Sequence, residues 1–329
     1  MNQIAKLAGV SQATVSRVIN GSAGVSDEKR KKVMQLIDEH DFSVRSKRKK
    51  ARSVKRTIGL LLINSRFLNP SILMRKIESI EKSMGDDYSL MIFCGDINWI
   101  DIQSKYNRGE ISGLLIAGFA SDDRSLTELI RRIPHAWLNS HVSENGETET
   151  LAGNEQAGKI AARYLLEHNV KQPLLLTING ANPGIPLREQ GFNFIMFTRS
   201  VKSRQICVME GLEEKFEYSY NRKVEAHAFK LFDSENIAQY DGIFCVEDRL
   251  TAMLYRYMTI HKIPIPKVIS CCMEQHYLLG LYPRPATIDM GSEFTAKLAI
   301  EELQRKIEGK PLSRDVIVVA NARFVPGDD

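Results

Sequence analysis

Cysteine is scarce in this chain. Five occur in 329 residues: Cys94, Cys207, Cys245, Cys271 and Cys272. No C-x-x-C pair is present, so neither a zinc knuckle nor a disulfide framework is encoded. Cys94, Cys245 and Cys271 fall in apolar runs of strand length and read as buried free thiols of a reducing compartment. Long hydrophobic runs are also missing. The longest, such as 58–63, stay far below the ~20 residues of a membrane span. No secretory leader opens the chain, so a cytoplasmic protein with no membrane partner is expected. The seven histidines are scattered, with no H-E-x-x-H and no Cys/His cluster. That argues against a metal or other cofactor. No G-x-S-x-G elbow occurs, and no enzyme is expected.

What is present is an uneven charge. The chain carries net +5, yet residues 1–57 hold +9 and the remainder −4. A small basic module on a near-neutral body is the electrostatic footprint of a polyanion binder.

Residues 1–42 read as three short helices. Ile4, Leu7 and Ala8 share one apolar face, and Gly9-Val10 ends the first helix. Ser11 caps a second helix, Gln12–Ile19, with Val15, Val18 and Ile19 inward. Gln12, Ala13, Ser16 and Arg17 point outward, and Asn20-Gly21 closes it. Ser26 with Asp27 and Glu28 opens a third helix that carries Val33, Leu36 and Ile37 inward. A Gly turn between two such helices makes a helix-turn-helix. Laid in the major groove, the second helix offers Gln12 to adenine and Arg17 to guanine. Ser11, Thr14, Ser16 and Asn20 suit phosphate oxygens.

The run from Ile4 to Gly21 resembles the DNA-binding signature of the lactose/galactose repressor family. That resemblance implies a homodimer on a pseudo-palindromic double-stranded operator. It makes Gln12, Ala13 and Arg17 the base readers. Residues 43–57 carry eight basic side chains, among them Arg45, Arg48 and Arg52, and no acidic one. Such a segment is expected to be disordered off DNA and to release counterions on it. In the family this linker becomes a short helix that wedges a Leu into the minor groove. Here the matching position is near Ala51, so less operator bending and more phosphate binding are expected.

From residue 58 onward, strand-sized apolar runs alternate with amphipathic helices. The strand candidates are 58–63, 90–94, 114–117, 136–138, 174–178, 242–246, 268–272 and 316–319. Strands alternating with helices indicate a parallel, doubly wound α/β sheet, and this many strands indicate two lobes. Asn69-Pro70, Asn154 to Gly158, Arg188 to Phe192, Glu247-Asp248 and Ile307 to Pro311 resemble landmarks of the same family. They imply a periplasmic-binding-protein-like sensor over 58–329, with a sugar-like effector between the lobes. The resemblance places Asn69, Arg188, Glu247, Asp248 and Glu274 in that cleft, Arg188 and Asp248 as hydroxyl binders. The family often has Asn at Glu247 and Phe where Ser71-Ile72 stand. Trp137 and Phe67 are each a possible stacking face or core residue. A regulator that answers to a partner protein instead of a small molecule is the alternative reading. No heptad tail follows Phe324, which fits a dimer.

Gly153 to Lys159 nearly spells a phosphate-binding loop. Ile160 replaces the hydroxyl residue that would hold Mg²⁺, and the polar stretch 143–150 is no apolar strand. Asn154 is expected instead to cap the helix that follows.

Overall fold

The computed structural model describes residues 2–19, 25–39, 56–63, 68–95, 98–118, 129, 132–138, 149–178, 182–210, 212, 222–310 and 317–328. The chain divides into two units, Met1–Ser53 and Val54–Asp329.

The first unit is α1 (Asn2–Ala8), α2 (Gln12–Ile19) and α3 (Asp27–Glu39). α1 stops where Gly9 adopts φ 68°, a conformation glycine reaches without a Cβ penalty. The Val10 N–H donates back to the Ala5 carbonyl at 3.0 Å and satisfies the open helix end. Ser11 then caps α2. Its Oγ accepts the Thr14 N–H at 3.1 Å and pairs with the Thr14 hydroxyl at 2.9 Å. Ile4, Ala5, Ala8, Val15, Val18 and Val33 form one small core, with Leu36 at its margin. Leu7 was expected there and is 47% exposed instead. In so short a helix the buried stripe runs through positions 4, 5 and 8, and Leu7 lies off it. The side chains of Ile19 and Ile37 lie outside the described residues.

The second unit has two parallel sheets. The first orders β2 (Tyr88–Phe93), β1 (Arg56–Leu62), β3 (Gly113–Ala117) and β4 (His135–Trp137). Alternate residues serve opposite faces. Ile58, Leu60 and Leu115 join one core, and Leu61, Leu114 and Ile116 join the other. α4 (Pro70–Met84) and α11 (Ser292–Ile307) cover the first face, with Ala296, Ala299 and Ile300 packed against Ile80 and Met84. α5 (Trp99–Asn107), which the periodicity did not reveal, covers the second face through Ile102. Trp137 packs in that second core.

The second sheet orders β7 (Arg204–Cys207), β6 (Pro173–Thr177), β8 (Gly242–Cys245) and β9 (Lys267–Ile269). α6 (Asn154–Glu167), α7 (Gly184–Thr198), α8 (Arg222–Ser234) and α9 (Asp248–Ile260) flank it around one large core. α10 (Gln275–Leu278) follows β9 after a sharp turn. Here the expected strand 268–272 is cut short. Pairing with β8 ends at Ile269, the Ser270 and Cys272 N–H groups donate instead to the Ala286 and Ile288 carbonyls at 2.8 and 2.9 Å, and the positive φ of Cys272 and Met273, 105° and 55°, then turns the chain.

Two short strand pairs stand outside these sheets. β5 (Glu149–Ala152) runs parallel to β11 (Ile317–Ala320), and β10 (Thr287–Asp289) runs antiparallel to β12 (Arg323–Val325). β5 leads directly to Gly153, where no apolar strand was expected, and its sequence is indeed no apolar run. Its pairing is through backbone groups, which a polar sequence supplies as well as an apolar one.

Candidate functional site

The DNA-facing residues come first. With Val15 and Val18 turned into the core, the 3.6-residue repeat leaves Gln12, Ala13 and Arg17 exposed on one side of α2. Ser11 is exposed at the head of the helix, and Thr14 and Ser16 are half-buried beside the readers. Asn20, Arg45, Arg48, Ala51 and Arg52 lie outside the described residues.

The second site is the cleft of the second unit. Five expected residues come from the ends of strands and the starts of helices in both lobes, where an open α/β sheet gathers ligand groups. Asn69 caps α4: its Oδ1 accepts the Ser71 and Ile72 N–H groups at 3.0 and 3.2 Å. Its Nδ2 is buried without a hydrogen-bond partner. Arg188 is buried in α7. Its Nε donates to Asn154 Oδ1 at 2.9 Å, and its Nη1 to the Val246 carbonyl at 2.6 Å. Asn154 therefore does not cap α6. It is the first residue of that helix, with its side chain turned to Arg188.

Asp248 and Glu274 divide their roles. Both oxygens of Asp248 are engaged within the protein. Oδ1 accepts from Ser270 and Thr287, and Oδ2 from the Glu274 N–H at 2.6 Å. Asp248 thus braces the turn that presents Glu274. Burial pushes its carboxyl up to about 7 against those hydrogen bonds. Glu274 is buried with neither oxygen hydrogen-bonded. Burial pushes it up to about 9, Cys272 adds to the rise, and the facing Asn69 amide offsets part of it. Glu247 is buried at the head of α9.

Four further residues tie the lobes together, and periodicity gave no sign of them. Ser71 Oγ bonds His276 Nδ1 at 2.8 Å, and Arg75 donates to the Cys272 carbonyl at 2.9 Å. Ile72, on α4, packs against the core of the second lobe. Ser71-Ile72 therefore makes a polar and apolar clasp where the resemblance leads one to expect an aromatic. Behind them Lys76 is buried and donates to the Leu138 carbonyl. Burial lowers its ammonium to about 8, helped by Arg75. A cavity of about 450 Å³ opens beside this clasp, with Arg75, Met273, Asp289, Ser292, Phe294 and Arg323 in its wall. That is room for a small ligand, but none of Asn69, Arg188, Glu247, Asp248 and Glu274 lines it; Met273 alone joins it to the turn before Glu274.

The near phosphate loop has a packing role. A Cβ on Gly158 would stand 1.9 Å from the Arg188 carbonyl oxygen, and one on Gly191 2.0 Å from that of Glu155. α6 and α7 touch backbone to backbone at these two positions, and only glycine permits it.

Residues 1–44 match the family of bacterial regulatory proteins, lacI family. The HTH-type transcriptional repressor PurR of Vibrio vulnificus is 27% identical over 94% of this chain and 92% of its own length. The ribose operon repressor of Haemophilus influenzae is 25% identical over the same shares. Among solved structures, the lac repressor dimer bound to operator and the anti-inducer ONPF aligns with TM-score 0.63 at 16% identity. It covers 99% of this chain and 97% of that one. A CelR–cellobiose complex aligns with TM-score 0.66 at 16% identity, covering 99% and 98%. These structures share the fold, a helix-turn-helix head with a two-lobed α/β body. At the level of the family these relatives are transcriptional regulators and not enzymes. A helix-turn-helix head, a two-lobed body and regulators matched along nearly the whole length agree: residues 1–44 match the lacI family of bacterial regulatory proteins, and the whole chain is similar to regulators of that kind.

Proposed function

We propose that this regulator is a cytoplasmic homodimeric repressor, controlled by a small hydroxyl-rich effector of sugar type held between its lobes. Residues 1–42 form the DNA-binding domain, 43–57 a basic linker, and 58–329 the sensing and dimerising body. The operator is pseudo-palindromic, and each protomer reads one half through Gln12, Ala13 and Arg17.

One observation carries the effector half of this reading: the Glu274 carboxyl and Asn69 Nδ2 are buried with no hydrogen bond of ordinary length, although the Asn69 amide is near enough to Glu274 to favour its charged form. A buried carboxyl group without full hydrogen bonding is costly, and a ligand hydroxyl that bonds to it removes that cost. The same ligand offers oxygens to Asn69 Nδ2 and to the Arg188 guanidinium. Glu247 completes the acidic side. The relatives support this class of ligand: solved neighbours are described with cellobiose and with ribose. The effector acts by binding one lobe arrangement better than the other, and only that difference is transmitted to DNA.

Isothermal calorimetry tests the reading with neutral sugars, sugar acids, sugar phosphates and nucleobases. We expect heat with a polyol or sugar, and its loss in Glu274→Gln and Arg188→Ala. A panel that gives no heat, or binding unchanged in both variants, overturns the effector assignment. Selection of DNA from a random pool tests the operator assignment independently.

A further inference from the structure

We propose that the cavity at the head of α11 is a second ligand site, separate from the cleft groups Asn69 and Glu274, and that it takes a small organic phosphate. Its wall draws on both lobes. Arg75 on α4 and Ser292 at the start of α11 belong to the two helices that cover one face of the first lobe. Arg323 opens β12, and its neighbour Ala322 is packed in the core of the second lobe.

The head of α11 presents donors without acceptors. The helix starts after Gly291, which takes φ 65° and has no side chain to cap it. The first bond of the helix runs from the Thr295 N–H to the Gly291 carbonyl at 2.9 Å. The N–H groups of Ser292, Glu293 and Phe294 precede that bond and find no partner inside the helix. The aligned peptide dipoles of its 16 residues add a partial positive charge at this end.

A helix end alone is no ligand site, and two further observations make this one specific. The first is Ser292, which lines the cavity and is only 6% exposed. Its carbonyl accepts from Thr295 Oγ1 at 2.9 Å, but its hydroxyl makes no hydrogen bond among the described residues. The second is a pair of guanidiniums. Arg323 has no ion pair or hydrogen bond among the described residues. Asp289 stands opposite it in the β10–β12 register, yet Asp289 Oδ1 accepts the Gly291 N–H at 3.0 Å instead. Arg75 places one Nη on the Cys272 carbonyl at 2.9 Å and keeps the remaining N–H groups of its fork.

This set of donors suits a phosphate. A tetrahedral oxyanion serves helix amides, a hydroxyl and two forks at once. A carboxylate has too few oxygens for them, and a neutral sugar leaves both guanidiniums unmatched. The carboxylates in the same wall do not cancel the donors. Asp289 is held by Gly291, and Glu293 is exposed to water and salt that screen it. Phe294 and Val319, both about half exposed, flank the cavity with apolar surface for the carbon part of the ligand. The volume of about 450 Å³ suits a body of sugar size. A ligand held from both sides binds one arrangement of the lobes better than another, so this site is placed to bias the same equilibrium as the effector. It does not itself rest on the effector reading above.

The test is calorimetry on the full chain at fixed ionic strength, with ribose 5-phosphate, inorganic phosphate and ribose as probes. We expect one ribose 5-phosphate per chain, displaced by inorganic phosphate and not by ribose. Ser292→Ala should weaken it about tenfold and Arg323→Gln by tenfold or more. Arg323 is exposed and unpaired, so the Arg323→Gln chain should keep the melting temperature of the natural one without ligand. On the natural chain, inorganic phosphate should slow hydrogen exchange of the amides of 292–294. Failure of both phosphates to bind overturns the proposal, as does binding that Arg323→Gln and Ser292→Ala leave unchanged. Exchange slowed only within 1–57 assigns the anion to the basic head and linker and overturns it too. Binding that Glu274→Gln abolishes and Arg323→Gln spares moves the ligand to the cleft, which overturns this site and leaves the effector reading standing.

Discussion

The Cα of Gly158 rests against the Arg188 carbonyl so closely that a Cβ there would lie 1.9 Å from the oxygen. This contact sets how deep α7 sits, and α7 carries Arg188 into the cleft. Gly158→Ala must push the helices apart or bend them. Overpacking of this kind costs about 1–3 kcal/mol. We expect a lower urea midpoint for the body and weaker effector binding. Base selection by α2 should stay as it was. A midpoint unchanged by the substitution contradicts the contact.

Glu274 makes stability depend on pH. Its folded carboxyl is pushed up to about 9 from an ordinary 4.5, so the folded chain keeps a proton that the unfolded chain gives up. Stability therefore falls as pH rises between those values, with a limiting slope of roughly 1.4 kcal/mol per pH unit for one proton. Asp248, pushed up to about 7 from 3.8, adds a slope of the same sign that ends lower. Between about pH 7 and about pH 9 the Glu274 share remains. Glu274→Gln should flatten the melting temperature in that window and raise it at the alkaline end. A wild-type curve that rises there instead would disprove the buried-acid account.

Arg17 and Gln12 should separate from Ser11 in a DNA selection. Arg17→Ala and Gln12→Ala each remove base contacts of about 1–3 kcal/mol and relax preference at their own positions. Ser11→Ala removes the cap of α2 at a cost of about 1 kcal/mol and weakens all sequences alike. Equal selectivity in all three variants is the result that contradicts this assignment.

The eight basic residues of 43–57 should show in salt titrations. Each phosphate they neutralise adds about 0.9 to the slope of log K against log salt. Replacing Arg45, Arg48 and Arg52 with Gln should make the slope shallower by roughly 2–3 and leave base preference intact. An unchanged slope would show that the linker makes no phosphate contacts.

The DNA-reading helix was legible in the sequence because its signals are local. The Gly9 turn, the Ser11 cap and the spacing of Val15 and Val18 lie within ten residues of one another. The strand alternation of the two sheets was legible for the same reason, since buried parallel strands are near-continuous apolar runs. β5, β10 and β12 escaped notice because backbone pairing with a distant strand, and no apolar run, defines them.

The sequence by itself determined where the charge lies, where the helix-turn-helix stands and that the body is a doubly wound pair of lobes, because each follows from neighbours along the chain. Only the tertiary structure decided that both Asp248 oxygens are engaged within the protein while those of Glu274 are buried with no hydrogen bond of ordinary length, although both are acids beside a strand end. It also decided that Asn154 holds Arg188. The physical reason is common to both. A side chain's role is set by the partners left available to its polar atoms, and the partners of Asp248 and Asn154 lie between 22 and 39 residues away along the chain.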